Sequence, residues 1–119
     1  PDRAAQRLRA RFVQTWETGD VLFREGDAGA EMYCVLRGAV RLTRAGRELR
    51  VMRAGDYFGE MSMLLQAPRN ATAVVCEGAT QVAAISERNF DTILRENPGV
   101  VRRLLQEMAR RLAAMNERA

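Results

Sequence analysis

Between Phe12 and Ile85 the apolar residues come in brief runs: VLF from Val21, MYCVL from Met32, AVRL from Ala39, LRVM from Leu49, TAVV from Thr72 and QVAAI from Gln81. Turn formers fall between them, at Gly19-Asp20, Gly26-Asp27, Gly38, Gly46, Gly55-Asp56 and Gly78. Apolar runs this short, bounded by turn chemistry, predict β-strands, and strands at this spacing predict a β-sandwich or barrel-like roll.

Other stretches follow a different period. Residues 3–11, RAAQRLRAR, carry helix formers and charge and predict a short N-terminal helix over residues 1–11. Between Phe58 and Pro68 the composition EMSMLLQA favours a helical turn, with Gly59 and Glu60 at its start and Pro68 beyond its end. From Ser86 the stretch SERNFDTILREN offers a serine N-cap and one apolar face at Phe90, Ile93 and Leu94. Asn97-Pro98 then supplies a second cap with proline at the first helical position, opening a helix from Pro98 toward Arg118. Along it Val101, Leu105, Met108, Leu112 and Met115 alternate steps of four and three, a heptad seam. Such a seam either pairs with a second copy, giving a homodimer through residues 98–116, or lies on the chain's own roll.

The chain has 119 residues, enough for one core and too few for an elaborate second lobe, so one domain over 1–119 is expected. It begins at Pro1 without methionine and reads as an excised or processed piece. No apolar run approaches the roughly 20 residues of a membrane helix, and the first residues lack the apolar stretch of a signal peptide, so a soluble cytoplasmic domain is expected. Cys34 and Cys76 sit singly in β-like runs, which suggests buried thiols rather than a disulfide or zinc framework. There is no histidine, which removes most catalytic zinc and iron sites and any Ser-His or Cys-His nucleophile. A cupin-type metalloenzyme, the enzymatic rival on a β-roll, normally needs two or three histidines and is disfavoured; no catalytic residue and no metal site is expected. All 19 basic residues are arginine, against 15 acids, for a net charge of +4. They are spread along the chain without interleaved aromatics, so solvated faces account for most of them and direct nucleic-acid binding by this domain is not expected.

The chemistry concentrates in FGEMSMLLQAPRNATAV, Phe58 to Val74. A helix N-terminus presents unpaired N–H groups and partial positive charge, which attract phosphate. Gly59 lets backbone approach a ligand closely, and Arg69 supplies a planar fork of donors suited to two phosphate oxygens. Glu60 would repel a free phosphate, but not a ligand that also offers hydroxyl donors, as a ribose does. A sugar-linked phosphate of low charge fits this set; alternatively, Glu60 and Arg69 pair with each other across the turn.

This stretch resembles the phosphate-binding cassette of cyclic nucleotide-binding domains: aromatic or aliphatic, Gly, Glu, apolar, small, apolar, then Arg, small, Ala. LFREGDAGAEMYCVLRG, Leu22 to Gly38, resembles the family's first signature, and NPGVVRRLLQEMARRLAAM is similar to the dimerisation helix of the catabolite activator protein-like branch. The resemblance implies a mainly β fold with flanking helices: an antiparallel β-roll of jelly-roll type over 12–85, its cassette at 58–74, and a helix pair over 86–118. It implies a binding module rather than an enzyme, taking cAMP, or cGMP, as regulatory ligand. It assigns Glu60 to the ribose 2′-hydroxyl and Arg69 to the cyclic phosphate, with Gly59 and Ser62 assisting through backbone groups and Met61 between them in the cassette. Asn70 follows the arginine with its amide and side chain facing the ligand, and Ala71 completes the motif chiefly as packing.

Departures from the family pattern fall on specificity. Asn70 stands where alanine is common in cAMP binders and threonine or serine in many cGMP binders, and an amide side chain does not settle the base. Met115 and Asn116 align with the position that contacts adenine in the activator branch, where Met115 either caps the base or occupies the heptad seam. Two isolated cysteines are too few for the superfamily's iron-sulfur sensors, and the haem branch needs axial ligands that a histidine-free chain largely lacks. The effector implied is separate and most often a transcription regulator; a channel, transporter or enzyme regulated through cGMP, or a degenerate roll that only dimerises, are the other readings.

Overall fold

The six apolar runs each become a strand, because residues alternating across the pleat give every run one face to bury. The structure, a computed structural model, describes residues 12–118; the helix predicted for residues 1–11 lies outside them. The strands are β1 (Val13–Trp16), β2 (Val21–Phe23), β3 (Glu31–Arg37), β4 (Ala39–Arg44), β5 (Arg47–Arg53), β6 (Tyr57–Phe58), β7 (Thr72–Val75) and β8 (Thr80–Ser86). The helices are α1 (Glu60–Leu65), between β6 and β7, then α2 (Glu87–Glu96) and α3 (Pro98–Arg118). The helical turn expected between Phe58 and Pro68 is therefore present, and α3 starts with its proline at the first position.

Two four-stranded antiparallel sheets, ordered β1-β8-β3-β6 and β2-β7-β4-β5, make the β-roll. The core is built from alternating residues, Tyr33 and Val35, Ala73 and Val75, Val82 and Ala84, closed by Val40, Met52 and Phe58. Trp16, Leu22, Phe23 and Leu42 pack around it. The chain passes from one sheet to the other at Gly38, between β3 and β4, with φ +90°. A β-carbon there would collide with Oγ1 of Thr80. That buried hydroxyl accepts from the Ala39 amide at 3.1 Å and donates to the Glu77 carbonyl at 2.8 Å, so its polarity is satisfied inside the core.

One local device recurs three times. In Glu17–Asp20, Arg24–Asp27 and Arg53–Asp56 the first amide donates to the aspartate carboxylate, at 2.8, 3.0 and 2.9 Å respectively. The aspartate amide donates back to the first carbonyl at 3.0, 3.0 and 2.9 Å, and the intervening glycines, Gly19, Gly26 and Gly55, hold φ of +92°, +87° and +93°. Each turn then grips one distant residue by two backbone hydrogen bonds. The glycine amide donates to that residue's carbonyl, and that residue's amide donates to the aspartate carbonyl. The gripped residues are Val75 (2.8 and 2.9 Å), Arg69 (2.7 and 2.8 Å) and Val35 (2.8 and 2.8 Å).

The chain forms two compact units, dividing after Glu87. In the helical unit the Asn97 amide donates to the Ile93 carbonyl at 2.7 Å, closing α2 before the proline. On α3 the heptad residues Leu105, Leu112 and Met115 are 61, 61 and 64% exposed, while Val101 and Met108 are partly buried. No helix among the described residues is long and apolar enough to cross a membrane.

Candidate functional site

The site grows from the start of α1. Gly59 occupies the N-cap with φ +81° and contributes no side-chain cap. Its backbone conformation favours glycine, and so does the space: a β-carbon would lie 2.7 Å from Nη1 of Arg69 and 3.2 Å from the Glu31 carbonyl oxygen. Glu60 opens the first turn of α1 and is partly buried. Ser62 and Met63 turn inward and are buried, whereas Met61 is exposed. The helix stops at Gln66, whose φ of +55° is the left-handed ending that terminates many helices.

Arg69 is buried, at 5% exposure, despite its charge. The Gly26-Asp27 turn fixes its backbone. Its guanidinium lies with Cζ 4.1 Å from the centroid of the Phe23 ring and 5.8 Å from that of Tyr33. Phe23, Tyr33 and Phe58 pack on one another with centroids 5.4 to 6.0 Å apart, so the cation rests on an aromatic floor. Gly29 forms a second wall, because a β-carbon there would fall on Nε of Arg69. Nη1 donates to the Gly59 carbonyl at 3.2 Å, and Nε is buried without a hydrogen-bond partner. Burial pushes the Arg69 pKa below its ordinary value, opposed by Tyr33, Glu31 and Asp27. The Tyr33 hydroxyl moves the other way, raised first by burial and then by the charge of Glu31, with Arg69 opposing. On the surface of the roll Arg41 pairs with Glu48, Arg50 with Asp56 and Arg53 with Glu77.

The structure thus brings Gly59, Glu60, Met61 and Ser62 on α1 into one neighbourhood with Arg69. Asn70 is exposed; its side-chain amide approaches Sδ of Met61 at 3.6 Å, and its carbonyl accepts from Nε of Arg44 at 2.8 Å. Ala71 is buried, in keeping with a packing role. Met115 and Asn116 are exposed on α3, in the helical unit rather than the roll. Among the described residues no group of histidine, cysteine, aspartate or glutamate could hold a metal ion. The aromatic floor and the Gly29 wall were not among the candidates drawn from the sequence. Their signal is the aromatics near the motif glycines, Phe23 in LFREGD and Phe58 in YFGE, and the tyrosine of MYCV in the strand that follows Gly29.

In this jelly-roll the N-terminus of the short helix and the buried arginine converge on one place. The chain belongs to the cyclic nucleotide-binding domain family, whose model matches residues 13–97. It is 36% identical over 99 residues to the cyclic AMP receptor protein of Thermus thermophilus, covering 79% of this chain and 45% of that protein. It is 36% identical over 85 residues to a cGMP-dependent protein kinase of Toxoplasma gondii, covering 71% of this chain and 8% of the kinase. Among solved structures, the catabolite activator protein of Thermus thermophilus superposes with a TM-score of 0.85 at 31% identity, covering 99% of this chain and 58% of that one. The chain therefore spans less than half the length of these two curated relatives. It is a cyclic nucleotide-binding sensor domain.

Proposed function

We propose that the ligand is cAMP, held by the cassette at 58–74, and that binding is relayed through α2 and α3 to a transcription-regulating segment. The observation that carries this reading is Arg69: a buried cation gripped at its backbone, with Nε lacking a partner beside the start of α1. A cation desolvated in this way is unfavourable until an anion pairs with it, and a cyclic phosphate supplies one. Arg69 takes the phosphate together with the first-turn amides between Gly59 and Ser62, and Glu60 takes the ribose 2′-hydroxyl. Met61 and Asn70 flank the ligand, Ala71 packs behind it, and Met115 and Asn116 are the candidates for the base. The similarity to a cyclic AMP receptor protein and a catabolite activator protein supports cAMP; the similarity to a cGMP-dependent kinase supports cGMP as the second reading.

Residues 1–119 act in this proposal as a single cytoplasmic sensor domain. Two copies pair through 98–116, since Leu105, Leu112 and Met115 repeat along α3 and are exposed. The domain itself contacts no nucleic acid, its arginines being dispersed over solvated faces. Isothermal titration of ligand-stripped protein with cAMP and, in parallel, cGMP tests the reading. Saturable binding that is lost in Arg69→Ala is expected, with cAMP the tighter ligand; folded protein that binds neither nucleotide would overturn it.

A further inference from the structure

The segment from Arg69 to Thr72 carries the arginine into β7, and it is held at both ends. Arg69 is gripped by the Gly26-Asp27 turn, and Thr72 is the first residue of β7, paired with Thr43 of β4. Between those anchors and beyond the ladder, the tip of the β4–β5 hairpin reaches over. Nε of Arg44 donates to the Asn70 carbonyl at 2.8 Å. The Ala45 amide donates to Oε1 of Glu25 at 3.1 Å, and the Glu25 amide donates to Oγ1 of Thr72 at 3.0 Å. A closed path of hydrogen bonds and covalent chain thus links the hairpin tip, the Gly26-Asp27 turn and the arginine segment.

Two local features disfavour this tip as a simple end of a sheet. Ala45 and Gly46 both have positive φ, +51° and +79°, as the tight hairpin turn requires, yet alanine adopts that conformation only at a cost. Arg44 and Arg47 sit directly opposite each other, a like-charge pair that works against strand pairing. Strain and repulsion at one turn persist when the surroundings overdetermine them, and here Glu25 holds Ala45 while Asn70 draws the Arg44 guanidinium away.

We propose that Arg44 and Glu25 are positioning residues for the nucleotide site, fixing the path of Asn70–Thr72 so that Arg69 and the Asn70 amide are presented in one geometry. Neither touches the ligand. The inference rests on the cassette being the nucleotide site. It makes the tip of the β4–β5 hairpin a determinant of affinity.

Titration of the intact chain with the nucleotide it binds tests this, alongside thermal unfolding of every variant. Arg44→Ala is expected to weaken binding about three- to tenfold, the worth of one typical hydrogen bond at an exposed position. Its thermal midpoint should stay within about 2 °C of the parent's. Glu25→Gln, which keeps an acceptor for the Ala45 amide, should bind like the parent, while Glu25→Ala should not. Arg47→Ala removes the same charge from the same tip without touching the segment and should leave affinity unchanged. Equal losses in Arg44→Ala and Arg47→Ala would mean that only charge matters, and affinity within about twofold of the parent in Arg44→Ala would mean that the brace does not position the site; either overturns the proposal while the nucleotide site stands. A parent that binds neither cAMP nor cGMP would remove the site and the brace together.

Discussion

The Gly55-Asp56 turn and the Gly26-Asp27 turn have the same backbone, the same aspartate-to-amide bond and the same two-bond grip, but they hold different residues. The first holds Val35, fully buried in the core; the second holds Arg69, just as securely fixed and carrying a charge. Around Val35 the grip reinforces burial that is already favourable. Around Arg69 it opposes a desolvation cost, and the partnerless Nε is the residue of that opposition. The comparison teaches that the site is a core position given over to a cation, and that its rigidity comes from the same turn that stabilises the roll elsewhere.

The largest test of that contrast is Arg69→Met, which keeps a long side chain over Phe23 and removes the charge. We expect nucleotide binding to fall by about 2 to 5 kcal/mol, read by calorimetric titration, because the phosphate loses its charged partner. We expect the thermal midpoint to hold or rise, since an apolar chain replaces a desolvated cation; a clear fall would mean that the arginine stabilises the empty roll. Val35→Ala inverts the pattern. It should cost about 2 to 3 kcal/mol of unfolding free energy in urea, from lost burial and the cavity left behind, with nucleotide affinity of the folded protein retained.

The smallest effects come from the glycines of the two turns. A β-carbon at Gly26 or Gly55 meets nothing within 4 Å, so alanine at either position is penalised through its positive φ alone. Each substitution should cost about 1 to 2 kcal/mol of stability. Only Gly26→Ala should also weaken nucleotide binding, because only that turn holds the arginine. If both variants lost affinity to the same extent, the two grips would have to be counted as one cooperative unit.

Much of this architecture was legible because the signals are local. The apolar runs from Val21, Met32, Ala39, Leu49, Thr72 and Gln81 each fell in a strand, and Pro98 marked the start of α3. β1 and β6 escaped notice because Gln14 and Thr15 interrupt any apolar run in VQTW and YF is only two residues, and they are strands by pairing with β8 and β3. The cassette was legible as residue types in order: Gly59, Glu60 and Arg69. What held Arg69 was not, since the Gly26–Arg69 hydrogen bonds use peptide groups and leave no mark on side-chain identity. The role proposed for Arg44 was hidden for a related reason. As one of nineteen dispersed arginines it looks like a solvated charge until its nitrogen is seen on the Asn70 carbonyl.

A grip made wholly of peptide groups is indifferent to the side chain it carries. On the proposed assignment of Arg69, a descendant of this chain that exchanged it in a single step would inherit the roll and lose its answer to the nucleotide. Loss of hearing and loss of fold would then be separable events in its history, with a folded, silent copy one codon change away from recovering its ligand.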